Sequence, residues 1–184
     1  MKTKLIWIPL LLGLALAQPT PQTPTMPFEQ HRTWRLTQQA AQEVAKAQAA
    51  RAYLQNLNLA QRPEWLAQAD ALLSQAQSEM QSGNLFAARE RADAAKKVYE
   101  AALRLNYVWM PTKRGPRAGW EYSEIYRAQD RIGRLEAELG YYRNNNPAVQ
   151  SLLMAARTLQ STRPDVARKL ADAGLDVIRA DRGF

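Results

Sequence analysis

The sequence predicts an all-α fold of six helices, arranged as two similar three-helix units with no sheet. Three observations predict it. Apolar residues recur every three or four positions over most of the chain, no segment alternates with period two, and one helical hairpin recurs 79 residues further on. A helix buries a stripe spaced by three and four residues, whereas a half-buried strand buries every second residue, so the pattern itself separates the two classes.

The chain opens with lysines at positions 2 and 4, runs through thirteen largely apolar residues from Leu5 to Ala17, and ends that run with Ala15-Leu16-Ala17. This is the charged head, apolar middle and small-x-small cleavage site of a secretory signal peptide, cut after Ala17. Thirteen helical residues would span about 20 Å, short of the roughly 30 Å hydrocarbon core, so a membrane anchor fits less well. The absence of cysteine excludes disulfides and the thiol that bacterial lipoproteins acylate. The expected mature protein is therefore secreted or periplasmic, without a transmembrane segment. Loss of Lys2 and Lys4 lowers the formal net charge from +8 to +6, a modest tilt toward anionic company.

From Gln18 to Pro27 four prolines alternate with polar residues, which blocks helix and offers nothing to bury. Residues 18–28 are read as an extended tether. The first three-helix unit, 29–106, begins with a helix from about Arg32 to Asn58, striped by Leu36, Ala40, Val44, Ala47, Ala50, Leu54 and Leu57. Pro63 opens the second helix, whose inward residues are Trp65, Ala69, Leu72, Ala76 and Met80. Gly83-Asn84 closes it, and Leu85, Ala88, Ala92, Ala95, Tyr99 and Ala102 stripe the third. After a connector at 107–119, the second unit, 120–184, repeats the plan. Ile125, Ala128, Ile132, Leu135, Leu139 and Tyr142 stripe the fourth helix. Asn146 caps and Pro147 starts the fifth, with Val149, Leu152, Ala156 and Leu159 inward, and Pro164 starts the sixth, with Val166, Leu170, Ala173, Val177 and Ala180 inward.

Shifted by 79 residues, the second and third helices align with the fifth and sixth, with eleven identities over 29 positions, among them Leu73 with Leu152, Arg89 with Arg168, Asp93 with Asp172 and Val98 with Val177. The match is read as a duplicated helical hairpin. In addition, Gly83, Leu85, Ala88, Ala92 and Ala95 resemble the second half of a tetratricopeptide-type hairpin. The segment from Pro63 to Ala102 is similar to the alanine-rich hairpins of bacterial envelope proteins of unknown function. Glu79 stands where a tetratricopeptide repeat carries an aromatic and Glu100 where it carries proline. The resemblance implies a helical interaction module and brings no catalytic residue with it.

Chemistry is sparse. His31 is the single histidine, without a second one or a cysteine to share a metal, and it reads as a solvated helix-entry residue. Glu121 and Glu124 have the spacing of a carboxylate pair but lack the Glu-x-x-His partners of a diiron bundle, so a surface position is expected for both. The sequence carries no glycine-rich phosphate loop, Gly-x-Ser-x-Gly elbow or His-Glu-x-x-His motif. Neither an enzyme nor a cofactor is expected. On the fourth helix Glu124, Arg127, Arg131, Arg134 and Glu138 share a flank, and on the third Arg89, Asp93, Lys96, Glu100 and Arg104 alternate in sign. Both rows read as ion-paired solvent faces.

The best candidate binding site is the connector, where Lys113, Arg114 and Arg117 lie between Trp109 and Trp120. Guanidinium groups pair with phosphate or carboxylate, and indoles stack on bases or sugar rings. The competing reading is a connector that its tryptophans pin to the bundle. The leading functional expectation is thus a non-catalytic envelope protein whose hairpins bind another protein. An anionic-polymer binder (DNA, acidic glycan or lipid headgroup) acting through the connector is the first alternative, and a small periplasmic chaperone is the second. The leader reading makes a direct prediction: the exported protein begins at Gln18. Intact mass of the exported protein checks it, and a mass retaining Met1 to Ala17 overturns it.

Overall fold

The computed structural model describes residues 28–57, 59–60, 62–106 and 118–183, with the helical backbone alone at 28–29 and 118–122. The leader, the tether up to Pro27 and the segment 107–117 lie outside the described residues. Among the described residues six α-helices and a single 3-10 turn make up the structure, with no strand: α1 (Phe28–Gln55), the 3-10 turn (Glu64–Leu66), α2 (Ala67–Gln81), α3 (Leu85–Asn106), α4 (Ala118–Tyr142), α5 (Pro147–Leu159) and α6 (Pro164–Arg182). The first helix starts and ends a few residues earlier than its stripe suggested. After Pro63 the chain makes a 3-10 turn before α2 begins.

The helix boundaries have local causes. Asn146 caps α5 by accepting from the Ala148 amide at 3.0 Å, and Pro147 occupies the first turn, where its missing N–H has no partner to lose. At the end of α2, Gly83 takes φ +84°, its amide donates to Met80 O at 3.3 Å, and the Asn84 amide donates to Glu79 O at 2.9 Å. That pair of bonds is a Schellman closure, and a residue with Cβ would be strained in the left-handed position it requires. Arg143 holds the same position after α4 at φ 48°, with Asn144 donating to Leu139 O at 3.1 Å.

Two antiparallel helices, α3 and α6, form the centre. α1 and α2 pack on α3, α4 and α5 pack on α6, and α3 and α6 pack on each other. Their opposed directions are fixed at the ends: Arg163, just before α6, donates to the carbonyls of Arg104 and Leu105 at the end of α3, at 2.5 and 3.2 Å. Contact with three neighbours buries α3 and α6 on most of their circumference. Ala87, Ala88, Ala92, Ala94, Ala95, Ala101 and Ala102 of α3 are fully buried, as are Val166, Ala167, Leu170, Ala171, Ala173, Val177 and Ile178 of α6. Alanine loses no side-chain entropy on burial and lets helix axes approach closely, at the cost of apolar area per residue.

Gly174 shows how close the approach becomes. A Cβ there would lie 2.8 Å from Leu135 Cδ2 of α4, and Leu135 is itself fully buried. The glycine is required by the neighbouring helix, since α6 continues regularly through it. Of the larger anchors expected from sequence, Leu72 and Leu135 are buried, Trp65 nearly so, and Leu139 is half-buried against the core. Ala92, Tyr99 and Ile132 are buried as their stripes imply. Leu85 and Ile125 are half-buried. Leu85 is the first residue of α3, and near Ile125 the inward position is taken by its neighbour Glu124.

Overpacking tests this interior. Ala92→Leu is expected to destabilise the fold by about 1 to 3 kcal/mol, because the added branch meets a seam built for a methyl group. Denaturant unfolding measures it, and an unchanged midpoint would show that Ala92 does not sit at a close helix contact.

Candidate functional site

Of the residues singled out in the connector, Trp109, Lys113, Arg114 and Arg117 lie outside the described residues. Trp120 falls in the first turn of α4, with its side chain outside the described part. The structure therefore locates the far end of this candidate site at the start of α4, and the geometry around that helix can be read from residue 123 onward.

α4 presents three different surfaces. Ala128, Ile132 and Leu135 face the core. One flank carries the arginine row, whose members are matched: Arg127 with Glu124 at 2.9 Å, Arg131 with Asp172 of α6 at 3.2 Å, and Arg134 with Glu138 at 2.9 Å. On the side opposite the core, at 3.6-residue periodicity, lie Tyr126, Gly133, Ala137, Gly140 and Tyr141, all exposed. Tyr126 is 67% and Tyr141 80% exposed, and Met154 on the neighbouring α5 is 69% exposed. Nothing lies within 4 Å of a Cβ built at Gly133 or Gly140. No packing contact within the fold thus explains either glycine, and Gly133, in the helix interior, costs about 1 kcal/mol relative to alanine, while Gly140 lies in the last turn, where glycine costs less.

Sequence reasoning missed this outward face. The signal was present in Gly133, a glycine inside a strong helical pattern and away from either end, with Gly140 seven residues on in the last turn.

Near the N-terminal end of α4 an open groove of about 440 Å³ is lined by Tyr126, Arg127, Asp130, Arg131 and Arg168. Beside it the structure corrects one expectation. Glu124, expected on the surface, is only 5% exposed. It pairs with Arg127 and faces Arg168 Nε at 3.5 Å, beyond good hydrogen-bond range, so that Arg168 Nε and Glu124 Oε2 are both buried without a hydrogen-bond partner.

The row on α3 is also corrected. Arg89, Asp93, Lys96, Glu100 and Arg104 were expected to pair along a solvent face. Asp93 and Lys96 do pair along the helix, but most of the row reaches to other helices: Arg89 to Gln39 of α1 at 3.2 Å, Lys96 also to Glu43 of α1 at 2.8 Å, Glu100 to Lys169 and Arg104 to Asp165 at 4.0 Å. Alternating sign along one helix looks the same whether its partners are on that helix or on its neighbours.

At the centre of the bundle Asp176 is completely buried and bonded to Lys97 and Arg179. Burial pushes its carboxyl up, to about 7, against the pull of both cations. Burial alone would lower Lys97, but Asp176 and Asp93 outweigh it and hold the ammonium above its ordinary range. Around Lys96 burial again opposes charge: it would raise Glu43 and Asp93, yet hydrogen bonds and charge from the lysines leave both carboxyls below their ordinary values. These groups are packed between helices and bonded to one another, an arrangement suited to register rather than chemistry. His31 is exposed beside Trp34, the ring centroids 6.0 Å apart. Among the described residues no group of three or more His, Asp or Glu is placed to hold a metal ion, and no helix is long and apolar enough to cross a membrane.

Comparison of the chain with protein-family models, with curated proteins and with solved structures yields no match.

The lowered carboxyls set a pH dependence. A group whose folded pKa lies below its unfolded value binds fewer protons folded than unfolded, so its stabilisation is present above the unfolded pKa and fades as pH falls through the folded one. Glu43 and Asp93 start from 4.5 and 3.8, which places the loss below about pH 4.5. Glu43→Gln with Asp93→Asn should flatten the acid limb of a melting-temperature profile while lowering the plateau at neutral pH. An acid limb as steep as that of the parent would show that these two carboxyls do not contribute to it.

Proposed function

We propose that the protein is a secreted or periplasmic, non-catalytic helical adaptor that seats a helix of another envelope protein on the outward face of α4. One observation carries the reading: Gly133 and Gly140 leave open space on a face framed by Tyr126 and Tyr141, a cost to the isolated fold that a closely approaching partner backbone would offset. Small residues along a helix let a second helix approach, and exposed aromatics at either end supply buried area once it docks. Export rests on the leader sequence, and the duplicated hairpin plan and the tetratricopeptide-like spacing favour the same class of function.

A second reading has its own observation. The open groove at the start of α4 follows directly in the chain on Lys113, Arg114 and Arg117, and it contains Arg168 Nε without a hydrogen-bond partner. An anionic polymer held between the connector and this groove would pair phosphate or carboxylate with guanidinium, with Trp109 and Trp120 stacking on bases or sugars.

One capture experiment with the mature protein and envelope extract separates the two. Gly133→Arg with Gly140→Arg fills open space and removes helical glycine, so the double variant should melt at or above the parent. It should lose a protein that the parent retains at both low and high salt. If that protein is retained equally by parent and variant, the α4 face is not the docking surface. Retention of DNA or acidic polysaccharide that falls steeply with salt, and that disappears when Lys113, Arg114 and Arg117 become glutamine, supports the second reading instead.

A further inference from the structure

The central contact between α3 and α6 has an internal symmetry in its charges. Shifting by 79 residues carries Glu90, Lys97 and Glu100 of α3 onto Lys169, Asp176 and Arg179 of α6. All three positions keep a charge and all three reverse its sign. Three of the ion pairs across the contact follow the same operation, whereas Arg91–Asp181 and Arg104–Asp165 do not. Lys97 pairs with Asp176, its own equivalent, while Glu90 pairs with Arg179 at 3.5 Å and Glu100 pairs with Lys169, two pairs that exchange with each other under the shift.

In a two-fold contact residue i meets j and j meets i, and a residue on the axis meets its own equivalent. That is the pattern here, with Lys97 and Asp176 at the axis. The apolar positions agree: Ala88 and Ala167, Ala92 and Ala171, Ala94 and Ala173, Val98 and Val177 are all buried. The outer helices agree as well, since α1 and α2 stand to α3 as α4 and α5 stand to α6.

We infer that α3 and α6 are two copies of one self-pairing surface whose charges have been reversed in one copy, so that each surface selects the other as its partner and rejects a second copy of itself. Were α3 to meet α3 of another chain in this geometry, Lys97 would face Lys97 and Glu90 would face Glu100. Were α6 to meet α6, Asp176 would face Asp176 and Lys169 would face Arg179. Like charges facing one another in a largely buried contact are strongly disfavoured, whereas the apolar residues alone would accept every pairing. The charges therefore direct the hairpin containing α3 to the hairpin containing α6, either in its own chain or, after exchange, in another copy of the chain.

The test uses the full mature chain, leaves Asp176 with both of its cations, Lys97 and Arg179, and works on the Glu100–Lys169 pair. One variant carries Glu100→Lys, which sets a cation against Lys169. A second carries Lys169→Glu, which sets a carboxylate against Glu100. A third carries both substitutions and restores opposite signs with their positions exchanged. Each single variant should melt below the parent, and the double variant should regain most of the loss. The two single variants, unfolded together and refolded as a mixture, should yield a dimer of both chains joined by exchanged hairpins, seen by native mass, that neither gives alone. This last arm holds even where a single variant fails to fold by itself. A double variant no more stable than the sum of the two separate losses predicts, or a refolded mixture that contains no mixed dimer, would overturn the inference.

Discussion

The contact between α3 and α6 is the constraint on which the rest of the structure depends, because the outer helices pack on α3 or on α6 and, apart from a small contact of α5 with the 3-10 turn, are joined across the bundle through it. Two requirements meet there. The seam is built largely from alanine and valine, which brings the helix axes close, and a carboxylate sits within it with no exposure at all. Such a group is stabilised in its charged form only with its partners in place, since burial itself favours the neutral carboxyl. Lys97 and Arg179 are those partners. Alanine seams are permissive about register, as one methyl group looks much like the next. A buried ion pair is not, and the pairing of Asp176 with Lys97 removes the freedom that the alanines would leave.

Economy at the centre shifts demands outward. Because alanine buries little area, the outer helices must bring larger residues inward, and they do so with Val44 and Leu54 from α1, Leu72 and Leu73 from α2, Ile132 and Leu135 from α4 and Leu152 from α5. Where an outer leucine enters deeply, the central helix gives way: Leu135 occupies the space that a side chain at position 174 would need. The equivalent of Gly174 in α3 is Ala95.

Most of this was legible in the sequence, since stripes spaced by three and four residues locate helices and their inward faces without knowledge of the neighbours. Asn146-Pro147 and Gly83-Asn84 marked their boundaries for reasons of local hydrogen bonding alone. What could not be read was the identity of the neighbour across each face. The charges on α3 alternate as they would on a solvated helix, and only the fold shows that Lys96, Glu100 and Arg104 reach to α1 and α6. Glu124 illustrates the converse, because a carboxylate at a core-facing position gives no sign in sequence of the arginines that let it be buried. The candidate binding residues Trp109, Lys113, Arg114 and Arg117 were recognisable by type and spacing, but type and spacing do not say whether tryptophans face a ligand or a bundle.

The matched ion pairs narrow the search for a binding surface. The arginines of α4 that would form an anion rail are held by Glu124, Asp172 and Glu138, and a ligand must displace those carboxylates before it can use the cations. A face with little charge needs no such exchange. The outward side of α4 bears glycine and alanine between two tyrosines, with Asp130 as its charged member at the N-terminal end. A helix whose inward face is fully used, whose flank is electrostatically satisfied and whose outward face accepts an avoidable loss of helix propensity has one surface left on which a partner could act. Local rules broken without compensation inside the fold are where function is to be sought, and on the outward face of α4 that place is Gly133, with Gly140 extending the same open face in the last turn.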